Sequence, residues 1–169
     1  MVHHVTHRSV NCMVITISDT RTKDTDKSGR LMMEFLEQSG HHVEAAEIVP
    51  DESAAIQEMI KIGSENPAVD VILTNGGTGI SFRDVTIETV KSMLDKEMTG
   101  FGEIFRMLSY QEDIGSAAIL SRAIAGVISH TAIFATPGSS GAVKLAMEKL
   151  ILPELSHVVQ EITKDLDKH

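Results

Sequence analysis

The feature that most constrains this chain is an alternation in which short apolar, β-branched runs repeatedly give way to segments with a helical period. Residues 10–17, VNCMVITI, are continuously apolar or β-branched, as in a central strand covered on both faces. Residues 28–38 carry Leu31, Phe35 and Leu36 at helical spacing, with Gly40 as a stop. A second strand at 43–49 ends on Pro50, and Asp51 opens a second helix through SAAIQEMIKIG. A third strand at 69–74 and a third helix at 85–94 follow, then a loop and helix within 98–111. Two apolar runs, 124–128 and 132–135, flank Ser129-His130 and read as a hairpin at one sheet edge. A helix over 142–150 and another that begins at Pro153 close the pattern. Strands alternating with helices predict an α/β fold with a mainly parallel sheet.

At 169 residues the chain suits one domain, placed at 10–169. The preceding residues 1–9, MVHHVTHRS, are polar and aperiodic and are expected to form a flexible tail. His3 and His7 stand four apart there, but no helical pattern puts them on one face, so they read as tail residues rather than a metal site. The single cysteine, Cys12, lies in an apolar run, which predicts a buried, inert thiol. With 24 acidic against 15 basic residues the net charge is −9, which opposes binding to nucleic acid. No run has membrane-spanning length and no basic-then-apolar start is present, so a cytoplasmic protein without membrane contact is expected.

The unusual residues follow the predicted strands: Ser18-Asp19-Thr20, Pro50-Asp51, Asn75-Gly76-Gly77-Thr78-Gly79, and Thr136-Pro137-Gly138-Ser139-Ser140-Gly141. In a parallel sheet all four would converge on one rim, where such folds bind ligands. Gly76, Gly77 and Gly79 permit close backbone approach, so successive N–H groups can cradle an anion. The same glycines equally fit a tight turn with Asp84 capping the next helix. Neither the dinucleotide pattern G-x-G-x-x-G nor the phosphate loop G-x-x-x-x-G-K-[ST] is present. Asp51 and Asp84 sit at predicted helix starts, where they serve either as caps or, beside two anion loops, as Mg²⁺ ligands. Asp19 is a third candidate carboxylate, and Lys27 and Arg83 are the cations placed to meet a phosphate.

In order along the chain, SDT, PDE, NGGTGISFRDVTIE, TGFGEIFRMLS, AILSRA and TPGSSGAV resemble the molybdenum cofactor biosynthesis proteins of the B type. These are close relatives of the bacterial molybdopterin adenylyltransferases and of the matching domain of gephyrin. The resemblance implies a three-layer α/β/α fold and a homo-oligomer, a trimer or a hexamer. It implies transfer of AMP from Mg-ATP to molybdopterin with release of pyrophosphate, and no permanently bound cofactor. The alternative is a non-catalytic protein that holds molybdopterin or its precursor. Asp51 and Asp84 match the family's functional aspartates, with Mg²⁺ between them. Ser18, Asp19, Gly76, Gly77, Thr78, Gly79, Arg83, Pro137, Gly138, Ser139 and Gly141 fall in its nucleotide and pterin loops, and Ser109 matches its pterin-side serine. Phe82, bulky and apolar inside the glycine loop, is a departure that either narrows the pocket or packs beneath it.

Overall fold

The structure, a computed structural model, describes residues 7–166. Of the expected tail, residues 1–6 lie outside the described part. His7 stacks on His41 with ring centroids 5.4 Å apart, and the Ser156 hydroxyl donates to the Arg8 carbonyl at 2.7 Å.

Six strands form one sheet in the order β2-β1-β3-β6-β5-β4. They are β1 (Asn11–Ile17), β2 (His42–Val49), β3 (Val71–Asn75), β4 (Lys96–Glu97), β5 (Ile124–Ile128) and β6 (Thr131–Thr136). β2, β1, β3 and β6 run parallel, and β5 joins β6 antiparallel. The helices are α1 (Lys27–Gln38), α2 (Ser53–Glu65), α3 (Thr86–Met93), α4 (Thr99–Glu112), α5 (Ser140–Ala146) and α6 (Leu152–Thr163).

The three layers follow from the two-residue period of the strands. Cys12 and Val14 of β1 pack with Val71, Leu73 and Phe134 against α1, α4, α5 and α6, through Met32, Leu36, Phe105, Val143 and Leu155. The intervening Met13, Ile15 and Ile17 pack with Ile72 and Ile133 on the opposite face, against Ile56 and Ile60 of α2 and Val90 of α3. Both faces of the central strands are therefore apolar, which is why β1 reads as a continuous run rather than an alternating one. Burying side chains such as Ile15, Leu73 and Phe105, all fully enclosed, contributes about 1.5–3 kcal/mol each. Burial also pushes the Cys12 thiol up to about 12, so it stays protonated and unreactive.

Two details differ from the sequence expectation. The hairpin of β5 and β6 is not at an edge, because β6 pairs with β3 and the outer position is taken by the two-residue β4. Nor do two separate helices end the chain. A π-helical turn over Met147–Ile151 links α5 to α6, and the backbone stays right-handed helical at both junctions. Pro153, at the start of α6, lacks an N–H and crowds the preceding turn, and the wider π turn accommodates it without a break.

Candidate active site

The loops after β1, β2, β3 and β6 leave the parallel strands at the same end and enclose a pocket of about 380 Å³. It lies over the ends of β1 and β3, where the connections diverge. From β1 the chain passes to β2 through α1 on one face, and from β2 to β3 through α2 on the other. This is the topological switch point of the sheet, the position at which open α/β sheets bind ligands.

The floor is built by glycine. β3 ends at Asn75 and the chain turns through Gly76 and Gly77 at φ values of 101° and 69°. A Cβ on Gly76 would run into the Ile17 carbonyl, and one on Gly77 into the Thr86 hydroxyl and, at 2.9 Å, Asp51 Oδ1. The turn is locked to the start of α3: Thr86 donates its hydroxyl to the Gly76 carbonyl at 3.0 Å and its N–H to that of Gly77 at 3.1 Å.

Asp51 and Asp84 both line this pocket, and neither acts as a helix cap. The cap positions are Glu52 and Val85, without side-chain bonds to the helix ends. Asp51 Oδ2 accepts the Asp19 N–H at 3.1 Å, and Asp19 Oδ1 accepts the Asp51 N–H at 2.9 Å. Asp84 Oδ2 accepts the N–H and the hydroxyl of Ser81 at 3.0 and 2.6 Å. Burial pushes the Asp51 carboxyl above its ordinary value, and the charges of Asp19 and Asp84 push in the same direction.

Among the cations the structure redistributes the sequence expectation. Arg83 does not line the pocket; it grips Asp19 with two bonds of 2.9 Å and holds that carboxyl below its ordinary value. Lys27 is exposed in a separate surface hollow beside Arg30 and Glu34. The cation in the wall is Arg21, whose Nη2 donates to the Gly138 carbonyl at 2.9 Å while Nη1 stands 3.8 Å from Asp26. Sequence reading passed over Arg21, although it directly follows Ser18-Asp19-Thr20. Asp26 in turn caps α1 through the Gly29 N–H at 2.9 Å and accepts the Thr16 hydroxyl at 2.6 Å.

Ser18, Gly76, Gly77, Thr78, Gly79, Pro137 and Gly138 all reach the pocket, and Ser121, which sequence reading did not single out, joins them. Ser139 faces its own helix as the N-cap of α5, accepting the Ala142 N–H at 3.2 Å. Gly141 lies in the first turn of α5, where a Cβ would meet Asp113 of the α4 end at 3.3 Å. Ser109 is only 2% exposed, one turn before Asp113, and does not line the pocket.

Fold and site together define a three-layer α/β protein with a glycine- and carboxylate-lined cleft over the carboxyl ends of its parallel strands. A family profile described as a probable molybdopterin binding domain matches residues 13–157. A molybdenum cofactor biosynthesis protein B of Bacillus subtilis (strain 168) is 66% identical over 156 residues, covering 92% of each chain. The crystal structure of another molybdenum cofactor biosynthesis protein B superposes with a TM-score of 0.91 at 58% identity, over 93% of this chain and 98% of that one. The tungsten cofactor synthesizing protein MoaB from Pyrococcus furiosus gives 0.77 at 40% identity, over 93% and 99%. The chain belongs to the molybdenum cofactor biosynthesis protein B family.

Proposed function

We propose that this member of a molybdenum cofactor biosynthesis family transfers AMP from Mg-ATP to the terminal phosphate of molybdopterin. The observation that carries this reading is the convergence of Asp51 and Asp84 on one glycine turn: Asp51 Oδ1 lies 2.9 Å from where a Gly77 Cβ would stand, and Asp84 Oδ2 lies 2.6 Å from that of Gly79. A phosphate oxygen of the pterin forms the new bond to the α-phosphorus. The bond from that phosphorus to its bridging oxygen breaks, and pyrophosphate leaves with the electron pair. The attacking phosphate is already ionised at neutral pH, so no general base is needed.

The donor set fits Mg²⁺ arriving with the nucleotide. Among the described residues no group of three or more His, Cys, Asp or Glu is placed to hold a metal. Mg²⁺ characteristically needs only one or two carboxylates when phosphates supply its other oxygens. The cation would offset phosphate charge beside Asp51, whose carboxyl is raised by burial first and by the charges of Asp19 and Asp84 after it. The chain's own part is to position: the 76–79 backbone holds the phosphates close, Arg21 supplies a fixed positive charge, and Asp51 and Asp84 keep a set separation.

We also propose that the chain works as a trimer or hexamer. Ile104, Met107, Tyr110, Ile114, Ile119 and Leu120 are exposed large apolar residues within one stretch of chain, from α4 through the 3₁₀ turn over Gly115–Leu120, the kind of surface that marks a protein interface when it is contiguous. Light scattering should return three or six times the chain mass; a single chain mass would refute the assembly.

The catalytic test is direct. Purified protein is incubated with molybdopterin and Mg-ATP, and adenylylated pterin and pyrophosphate are both followed. Wild type should form both products, and Asp51→Asn and Asp84→Asn should lose them while staying folded. Pterin binding without any product would leave a binding protein instead.

A further inference from the structure

Arg122, within the AILSRA segment, ties the glycine loop to the start of α3. It stands between the 3₁₀ turn and β5, directly after the pocket residue Ser121. Its Nε donates to the Thr78 and Gly79 carbonyls, each at 3.1 Å. Its Nη2 donates to the Gly79 carbonyl at 2.7 Å and to the Asp84 carbonyl at 3.3 Å. Its Nη1 is hydrogen-bonded to Glu88 Oε1, in the first turn of α3, and that bond holds the Glu88 carboxyl below its ordinary value.

We infer that Arg122 is the positioning residue of this site, a guanidinium that turns the carbonyls of Thr78, Gly79 and Asp84 away from the ligand. The physical reason lies in the planar trans peptide, where C=O and the next N–H point in opposite directions. Fixing the oxygens of Thr78 and Gly79 on Arg122 directs the N–H groups of Gly79 and Ile80 the other way. A glycine turn left free would also sample conformers that present carbonyl oxygens to an anion, and these repel it. Arg122 does not line the pocket itself, so its effect is carried by the backbone it holds. Lysine is a poor substitute, because one ammonium cannot reproduce a planar fork that serves three carbonyls and a carboxylate.

The inference rests on the nucleotide reading for its consequence, but its core can be tested without ligand. Amide hydrogen exchange in the ligand-free protein should quicken within 79–85 in Arg122→Ala, at Ser81 and Asp84, whose N–H groups are held by Asp84 Oδ2 and the Ser81 carbonyl, while exchange in β1 and β3 is unchanged. Arg122→Lys should fall between the two proteins, and Glu88→Gln, which loosens one end of the fork, should show a smaller effect. If Arg122→Ala does not fold, the Lys and Gln variants decide by the same local readout. Unchanged exchange at 79–85 in every folded variant would overturn the positioning role.

With Mg-ATP as probe, Arg122→Ala should bind about 10- to 100-fold more weakly at an unaltered β1 and β3 exchange pattern, and Arg122→Lys should recover part of the loss. Wild-type affinity in a folded Arg122→Ala would overturn the role in binding. Wild-type protein that does not bind Mg-ATP would sink the nucleotide reading alone, and the exchange result would still judge Arg122.

Discussion

Asp19 and Asp51 hold each other reciprocally: each donates its backbone N–H to the other's carboxylate, at 3.1 and 2.9 Å, across the ends of β1 and β2. The clasp brings two negative charges together beside the pocket; Arg83 bonds Asp19 directly and reaches Asp51 through its charge alone. That pull does not prevail: burial first, and the Asp19 and Asp84 charges after it, keep the Asp51 carboxyl raised. The sign follows: stability contributed by its neutral form is full below the ordinary value of 3.8 and is lost as pH rises through the raised value. At neutral pH the ionised group is a net cost. Asp51→Asn keeps an acceptor for the Asp19 N–H and removes the charge, so its Tm at neutral pH should equal or exceed that of wild type. Thermal unfolding checks this, and a clear drop in Tm would contradict it.

Asp19 behaves in the opposite sense. The Arg83 hydrogen bonds hold its carboxyl low, so the stability it contributes is present above 3.8 and is lost as pH falls through its lowered value. In Arg83→Ala the Asp19 carboxyl should titrate at higher pH than in wild type, measured by carboxyl NMR. No movement would mean that the pair does not form in solution.

Gly76 and Gly100 make a controlled comparison. A Cβ at Gly76 meets the Ile17 carbonyl at a φ of 101°, and the atoms it meets are backbone, which cannot swing aside as a side chain can. Gly100, in the first turn of α4, has nothing within 4 Å. Gly76→Ala should lose at least about 2 kcal/mol in denaturant unfolding. Gly100→Ala should gain about 0.4–1 kcal/mol by restricting the unfolded chain.

Asp26 is 7% exposed and serves the α1 cap, the Thr16 hydroxyl and Arg21 at once. Asp26→Ala should cost about 2–3 kcal/mol, from the lost cap and the hydroxyl it strands. It should also weaken Mg-ATP binding, because it frees Arg21. Equal affinity in the folded variant would show that Gly138 alone holds Arg21 in place.

His41 is buried, accepts the Val10 N–H at 3.1 Å through Nδ1, and stacks on His7. Burial chiefly, and the His7 charge second, lower its value from 6.5. Its neutral form is therefore the stabilising one, and stability should decline as pH falls below 6.5 toward the lowered value. Denaturant midpoints between pH 7.5 and 5 should fall in wild type, with a shallower slope in His41→Gln.

Much of the layered fold was legible in the chain because central strands buried on both faces must read as continuous apolar runs, as 10–17 and 71–74 do. The glycine turn was legible because Gly76 and Gly77 occupy backbone conformations that other residues resist. The short β4 and the π turn were not, because two residues carry no period and the wider turn leaves the helical pattern nearly intact.

What the sequence determined by itself was which of the longer segments become strands and helices, and that the polar ends of the parallel strands gather on one rim, because both follow from local periodicity and chain direction. Which cations face the rim was decided only by tertiary structure. Lys27 and Arg83 are near the loops in sequence, yet Arg83 is drawn to Asp19 across 64 positions, and Arg21 reaches Gly138 across 117. Arg122 finds Gly79 across 43. A charged side chain settles on the carboxylate or carbonyl that folding brings within about 3 Å, and no local pattern in the chain records that distance.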